Sequence, residues 1–227
     1  MRKFKIIDKQ IQEGILILTI QTEDGKPFQF NAGQFVSISI PNFQAKPAFF
    51  SIASPPSWND KLQFTINIVG PRTRKLSEMS VGDVLEVNGP FGKMKIPDKE
   101  DLVLIAGGVG VAPMLSMIRE IKARNLSNSA TLFYSVRKPG LILFKNELEN
   151  YNQQTQNIRT YVTVTDENTG WNGLKGRICP EMLANTLKEV KGKKYFICGP
   201  TKMGLAMKEM LIKMGVEEKD IDMEAWG

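Results

Sequence analysis

The rhythm of hydrophobic positions changes near residue 97. Before it, apolar and polar residues alternate. Ile15–Ile20 alternates weakly, Gln34–Ile40 sets Phe35, Ser37 and Ser39 against Val36, Ile38 and Ile40, and Leu62–Val69 alternates again. A period of two predicts half-buried strands. Turn signals separate them at Asp24-Gly25-Lys26-Pro27, Asn31-Ala32-Gly33, Pro55-Pro56 and Gly82-Asp83. Several short strands at this spacing predict an antiparallel barrel or sandwich. After Pro97 the pattern becomes strand then helix, repeated. Leu102–Ala106 is a continuous apolar run, typical of a strand covered on both faces. Thr131–Val136, Thr160–Thr165 and Lys194–Cys198 are further strand candidates, and Pro113–Arg124, Pro180–Val190 and Lys202–Met214 are helix candidates, the last closed by Gly215. That alternation predicts an α/β domain with a parallel sheet. The expected division is residues 1–98 and 99–227, and a chain of 227 residues is long enough for both.

The sharpest punctuation falls where the first α/β strand ends. Gly107, Gly108 and Gly110 follow the apolar run at once, then Val111 and Pro113, with Met114, Leu115, Ile118 and Ile121 at helical spacing beyond. A strand, a glycine turn and a helix N-terminus together admit a diphosphate to bare backbone. Pro113 replaces the third glycine of the usual dinucleotide fingerprint, so a tight turn without a ligand also fits.

Three more segments carry candidate chemistry. FFSIASPP runs from Phe49 to Pro56 and includes Phe50, Ser51, Ile52 and Ala53. Gly70, Thr73 and Leu76 give G-x-x-T-x-x-L, with Arg72 and Arg74 beside Thr73; a phosphate site and a plain helix cap both fit. FICGPTKM, Phe196–Met203, ends a strand at Cys198 and turns through Gly199 and Pro200 into a helix that holds Met203. Strand carboxyl ends are where ligands bind in α/β sheets.

Composition narrows the chemistry. There is no histidine, which removes histidine bases, Ser-His triads and histidine-held metals; no metal site is expected. Two cysteines, Cys179 and Cys198, suit a reducing cytoplasm and are too few for an iron–sulfur cluster. The N-terminus lacks the apolar core of a signal peptide, and no run reaches the length of a membrane span. The net charge of +6 points to an anionic cofactor or an acidic partner, or to a merely solvated basic surface; no nucleic-acid motif accompanies it.

Taken together, the motifs resemble the ferredoxin–NADP reductase-like family of flavin-dependent NAD(P)H oxidoreductases, in the family's order and over nearly the whole chain. The resemblance implies an N-terminal flavin-binding β-barrel and a C-terminal NAD(P)-binding α/β domain. Ala48, Phe49, Phe50 and Ser51 stand at the family's R-x-Y-S/T motif, so Phe50 packs on the flavin and Ser51 reaches its N5, while the family arginine is replaced by Ala48. Gly70 and Thr73 inherit the second flavin-phosphate segment, with Arg72 or Arg74 in compensation. Gly82–Gly92 matches the last barrel strand, GGVGVAP the family's GGxGxAP turn, and CGPTKM its CGPxxM segment, which sets Cys198 beside the nicotinamide. Trp226 and Glu224, in the closing MEAWG, match an aromatic ring over the flavin and a nearby acid; the plainer reading is a frayed tail. Phe91, Trp58 and Trp171 are expected to be packing residues.

The function implied is hydride transfer from NAD(P)H to bound FAD, rather than FMN, and onward transfer of electrons to an acidic carrier such as a ferredoxin or to an oxygenase component. A free-flavin reductase, an electron-transfer subunit of a larger complex and a non-enzymatic nucleotide-binding module are the alternatives. Thr165 and Asp166 fall where NADP-using relatives commonly carry Ser-Arg. Asp166 would repel a 2′-phosphate, which favours NADH, while Arg137 and Arg177 pull the other way.

Overall fold

The computed structural model describes residues 1–166 and 169–226, the Trp226 side chain excepted. The chain divides into two compact units, Met1–Ile96 with Leu115–Asn125, and Pro97–Met114 with Leu126–Gly227.

The first unit is built on β1 (Arg2–Gln12), β2 (Ile15–Thr22), β3 (Phe35–Ser39), β4 (Ala48–Ser51), β5 (Lys61–Asn67) and β6 (Val84–Phe91). They form one antiparallel, barrel-like sheet in the order β4-β3-β6-β1-β2-β5. The β1–β2 hairpin turns on Glu13 and Gly14, with φ of 49° and 77°. Left-handed backbone at both positions matches the right-handed twist of the flanking strands. Phe4 and Ile6 point inward from β1, joining Leu16, Leu18, Val36, Ile38 and Phe64 in the core. Burying each such side chain contributes about 1.5–3 kcal/mol. Helix α1 (Pro71–Glu78) adds Leu76 to that core. Its C-terminal end is held by Lys9, whose ammonium donates to the carbonyls of Ser77 and Met79, each at 2.6 Å. Those are among the carbonyls that a helix end leaves without partners.

The second unit carries β7 (Leu102–Gly107), helix α2 (Val111–Ala123), β8 (Ala130–Val136), α3 (Lys145–Gln154), β9 (Ile158–Val164), β10 (Leu174–Lys175), α4 (Pro180–Thr186), β11 (Lys194–Pro200), α5 (Thr201–Lys213) and β12 (Ile221–Trp226); the later part of α2 counts with the first unit. Its sheet is parallel, in the order β10-β9-β8-β7-β11-β12. Every residue of β7 is buried, as its apolar run predicts. From β7 the chain steps one way through β8 and β9, then returns to place β11 on the other side of β7. That reversal is the topological switch where open α/β sheets leave a crevice at their strand ends.

Several elements differ from the sequence pattern. Helix α4 stops at Thr186, short of Val190, because Leu187 turns extended and buries its side chain. The closing segment is not frayed as far as Trp226: residues 223–226 end β12 and pair in parallel with β11, and Gly227 lies outside the described residues. Among the described residues, no helix is long and apolar enough to cross a membrane.

Candidate functional site

In the second unit, the glycine turn and the CGP segment meet at the switch point. Ala106 pairs with Cys198 across β7 and β11. A Cβ on Gly110 would lie 2.3 Å from the Cys198 carbonyl oxygen, and one on Gly107 would lie 2.4 Å from Met203 Sδ. The turn therefore closes directly on the end of β11, and that contact excludes any side chain at 110. Gly108 and Val109 occupy a short 3-10 turn, Val111 opens α2, and Pro113 falls within its first turn, where its missing N–H costs nothing.

A cavity of about 340 Å³ opens beside this contact, at the carboxyl ends of β8, β9 and β11 and against the first turns of α5. Met203, Met207 and Ile178 supply an apolar lining, and Ser135 and Thr165 supply hydroxyls. Arg177 and Lys202 also line it, and neither side chain makes an ion pair or hydrogen bond among the described residues. Methionine surface with two unspent cations suits a flat heterocycle that carries phosphate. Thr165, Pro200 and Met203 are thus drawn together in one cavity. Asp166 and Arg137 are not part of this lining; they are joined by the Asp166 N–H, which donates to the Arg137 carbonyl at 3.0 Å. Lys202 escaped sequence reasoning, although its place two residues after Pro200, in the first turn of a helix, was the available signal.

Cys198 is fully buried and stands opposite Glu224 in the β11–β12 register. One carboxylate oxygen of Glu224, Oε2, is buried without a hydrogen-bond partner. Burial pushes the carboxyl up to about 7, with the Asp222 charge adding to the effect. The side chain of Trp226 lies outside the described residues.

In the first unit, Phe50 pairs with Val36 and Ser51 with Phe35, so the two face opposite sides of β4. Phe50 is half-buried against the core. The Ser51 hydroxyl makes no hydrogen bond among the described residues. Ile52 and Ala53 are fully buried. At the start of α1, the Thr73 hydroxyl accepts the N–H groups of Val69 and Gly70 at 3.0 and 3.1 Å, reaching back to the chain ahead of the helix. The side chains of Arg72 and Arg74 make no ion pair or hydrogen bond among the described residues. A Cβ at Gly70 would meet nothing within 4 Å. An open helix N-terminus flanked by two unspent guanidiniums fits a diphosphate, and does so without a cation at position 48.

Of the residues expected to pack, Phe91 meets Phe35 and Phe49 in a ring cluster with centroids about 6 Å apart. Trp58 is 39% exposed, with the Arg119 guanidinium over its ring, and so is not a core residue. Trp171 donates its indole N–H to the Leu174 carbonyl and faces Lys145.

Residues 104–209 match the family described as oxidoreductase NAD-binding domain. The chain is 31% identical over 207 residues to the reductase component of phenol 2-monooxygenase from Pseudomonas sp. (strain CF600), covering 88% of this chain and 58% of that protein. It spans 57–63% of the length of the first curated relatives it matches. Among solved structures, the Amycolatopsis cytochrome P450 reductase superposes with a TM-score of 0.87 at 21% identity, over 99% of this chain and 69% of that one. A ferredoxin NADP+ reductase from Neisseria gonorrhoeae, solved with FAD and NADP, superposes with a TM-score of 0.80 at 22% identity, over 98% and 97%.

Proposed function

Because this chain belongs to the ferredoxin–NADP reductase-like family, we propose that it moves a hydride from NAD(P)H to bound FAD and hands the electrons to an acceptor. The observation that carries this reading is the cavity at the switch point, with its apolar floor and its two unspent cations. Residues 1–98 would hold the flavin and residues 99–227 the dinucleotide. In the first, Phe50 and Ser51 would meet the ring system, and Arg72, Arg74 and the α1 N-terminus would take the diphosphate. In the second, the turn from Gly107 to Pro113 would receive the dinucleotide diphosphate, Cys198 would stand beside the nicotinamide, and Trp226 would lie over the flavin with Glu224 nearby. A bound flavin supplies the capacity to accept two electrons and release them one at a time. The protein's share is to orient, to exclude water and to set charge. A chain without histidine lacks no part for this, since hydride transfer needs no general base.

The acceptor we favour is an acidic electron carrier or an oxygenase component, given the net charge of +6 and a relative that is itself named as a monooxygenase's reductase component. Two cysteines, neither of them in a disulfide, support a cytoplasmic setting. Asp166 favours NADH. A second reading, NADPH, is favoured by one observation: Arg177 and Lys202 share the cavity with Thr165, and Asp166 does not line it. Titrating the purified chain with FAD and FMN, then adding NADH or NADPH, tests all of this. The expected outcome is a bound FAD that either nucleotide reduces, with the ratio of kcat/KM values deciding between them. Reduction of flavin only as a freely exchanging substrate would move the assignment to a free-flavin reductase. Nucleotide binding with no flavin chemistry would leave a binding module.

A further inference from the structure

The later part of α2, which belongs with the first unit, carries a polar stripe that the motifs do not touch. Ser116, Arg119 and Glu120 lie three and four residues apart, on one helical face. All three end on one stretch of backbone, residues 53–57. The Ser116 hydroxyl donates to the Ser54 carbonyl at 2.7 Å. Arg119 Nη1 donates to the Ala53 carbonyl at 2.9 Å and to Gln63 Oε1 at 2.8 Å. The Glu120 carboxylate accepts the Ser57 N–H at 3.0 Å. Ser116, Ala53 and Ser54 are fully buried, and Glu120 is nearly so.

This placement answers a need of the strand. β4 ends at Ser51, and the buried chain beyond it has lost its regular ladder. From β5 it recovers three bonds: Ala53 N–H to the Gln63 carbonyl at 2.7 Å, Gln63 N–H to Ser54 Oγ at 3.1 Å, and the Ser54 hydroxyl to the Lys61 carbonyl at 3.3 Å. The carbonyls of Ala53 and Ser54 are met by α2. A buried carbonyl left unmet costs about 1–3 kcal/mol. Arg119 does more than fill one vacancy. One nitrogen grips the strand exit and the side chain of Gln63 together, and the guanidinium lies 5.7 Å from the centre of the Trp58 ring. A half-buried cation held on three sides fixes the direction of the peptides that follow Ser51.

We propose that Arg119, seconded by Ser116, is a positioning residue for the flavin: it sets the backbone at residues 52–54 and thereby the aim of Ser51. The proposal rests on the flavin reading above. It also identifies how this chain orders the exit of its A-F-F-S strand, from the helix side, where position 48 offers only a methyl group.

The test compares wild type with Arg119→Ala, Arg119→Lys and Ser116→Ala. FAD affinity, the absorbance of bound flavin, the rate of flavin reduction, the KM for NAD(P)H and the flavin-free melting temperature are measured for each. Losing one such bond is expected to weaken FAD binding by about ten-fold in Arg119→Ala and about three-fold in Ser116→Ala. Bound flavin should show a shifted spectrum and slower reduction in Arg119→Ala, while the KM for NAD(P)H stays put. Arg119→Lys, which keeps a donor there, should recover most of the affinity. A lower melting temperature with unchanged FAD affinity, spectrum and reduction rate would make the residue merely structural and overturn the proposal. If Arg119→Ala does not fold, wild-type FAD affinity and flavin spectrum in Ser116→Ala overturn it equally. A wild-type chain that binds no FAD sinks the flavin reading itself, a failure visible before any variant is made.

Discussion

Two helices in this chain start on glycine, and for opposite reasons. At Gly110, ahead of α2, a Cβ would collide with the Cys198 carbonyl at 2.3 Å. At Gly70, ahead of α1, a Cβ would meet nothing within 4 Å, and φ of −135° is open to any residue. The fold itself demands the first glycine and makes no demand for the second. GGVGVAP is the longer motif in sequence, yet packing already accounts for part of it. The shorter G-x-x-T keeps its space for something that arrives from outside. A glycine in a phosphate-type turn is evidence of a ligand chiefly where the protein's own packing does not require it.

The largest effect should come from Gly110→Ala. The added methyl meets backbone rather than a flexible side chain, so either the turn or β11 must move. Overpacking of this kind costs about 1–3 kcal/mol, and more where backbone cannot yield. Urea unfolding of the flavin-free protein measures it. Gly70→Ala is the counterpart. Alanine is a poorer N-cap than glycine, so a loss of up to about 1 kcal/mol is expected. FAD affinity should fall by more than that stability loss explains, because the methyl crowds the open helix start. Equal destabilisation by the two variants, or Gly70→Ala with native FAD affinity, would break the comparison.

The same contrast shows what the sequence made legible. β7, with its unbroken apolar run, and the glycine turns can be read directly, since hydrophobic period and backbone freedom are local properties. β1 could not be read so easily: only Phe4 and Ile6 are fully buried along its length, and its charged outward positions mask the alternation. Helix α3 hides for a similar reason, with Leu148 and Tyr151 its buried residues in a polar run. β12 exists because β11 offers it an edge, which no local pattern announces. Arg119 and Glu120 resemble the exposed face of an amphipathic helix until the backbone at 53–57 is placed against them. The usable signal was their position between Ile118 and Ile121, on a helix with little other polar character.

A last test stays on the Gly110 side of the comparison, because Cys198, whose carbonyl braces that glycine, stands opposite Glu224. Glu224 carries a carboxyl raised from an ordinary 4.5 to about 7 by burial and by Asp222. A raised carboxyl holds its proton in the folded state at pH values where the unfolded chain has released it. Folding stability from this group is therefore complete below about pH 4.5 and is lost as pH rises through about 7, above which it stays flat. Glu224→Gln keeps a neutral side chain of the same shape and should remove that slope. Melting temperatures at pH 5 and pH 8 make the comparison. The two proteins should nearly coincide at pH 5, with wild type the less stable at pH 8. Parallel pH slopes in wild type and Glu224→Gln would mean that the carboxyl is ionised in the fold, and would require a cation or water against its buried oxygen.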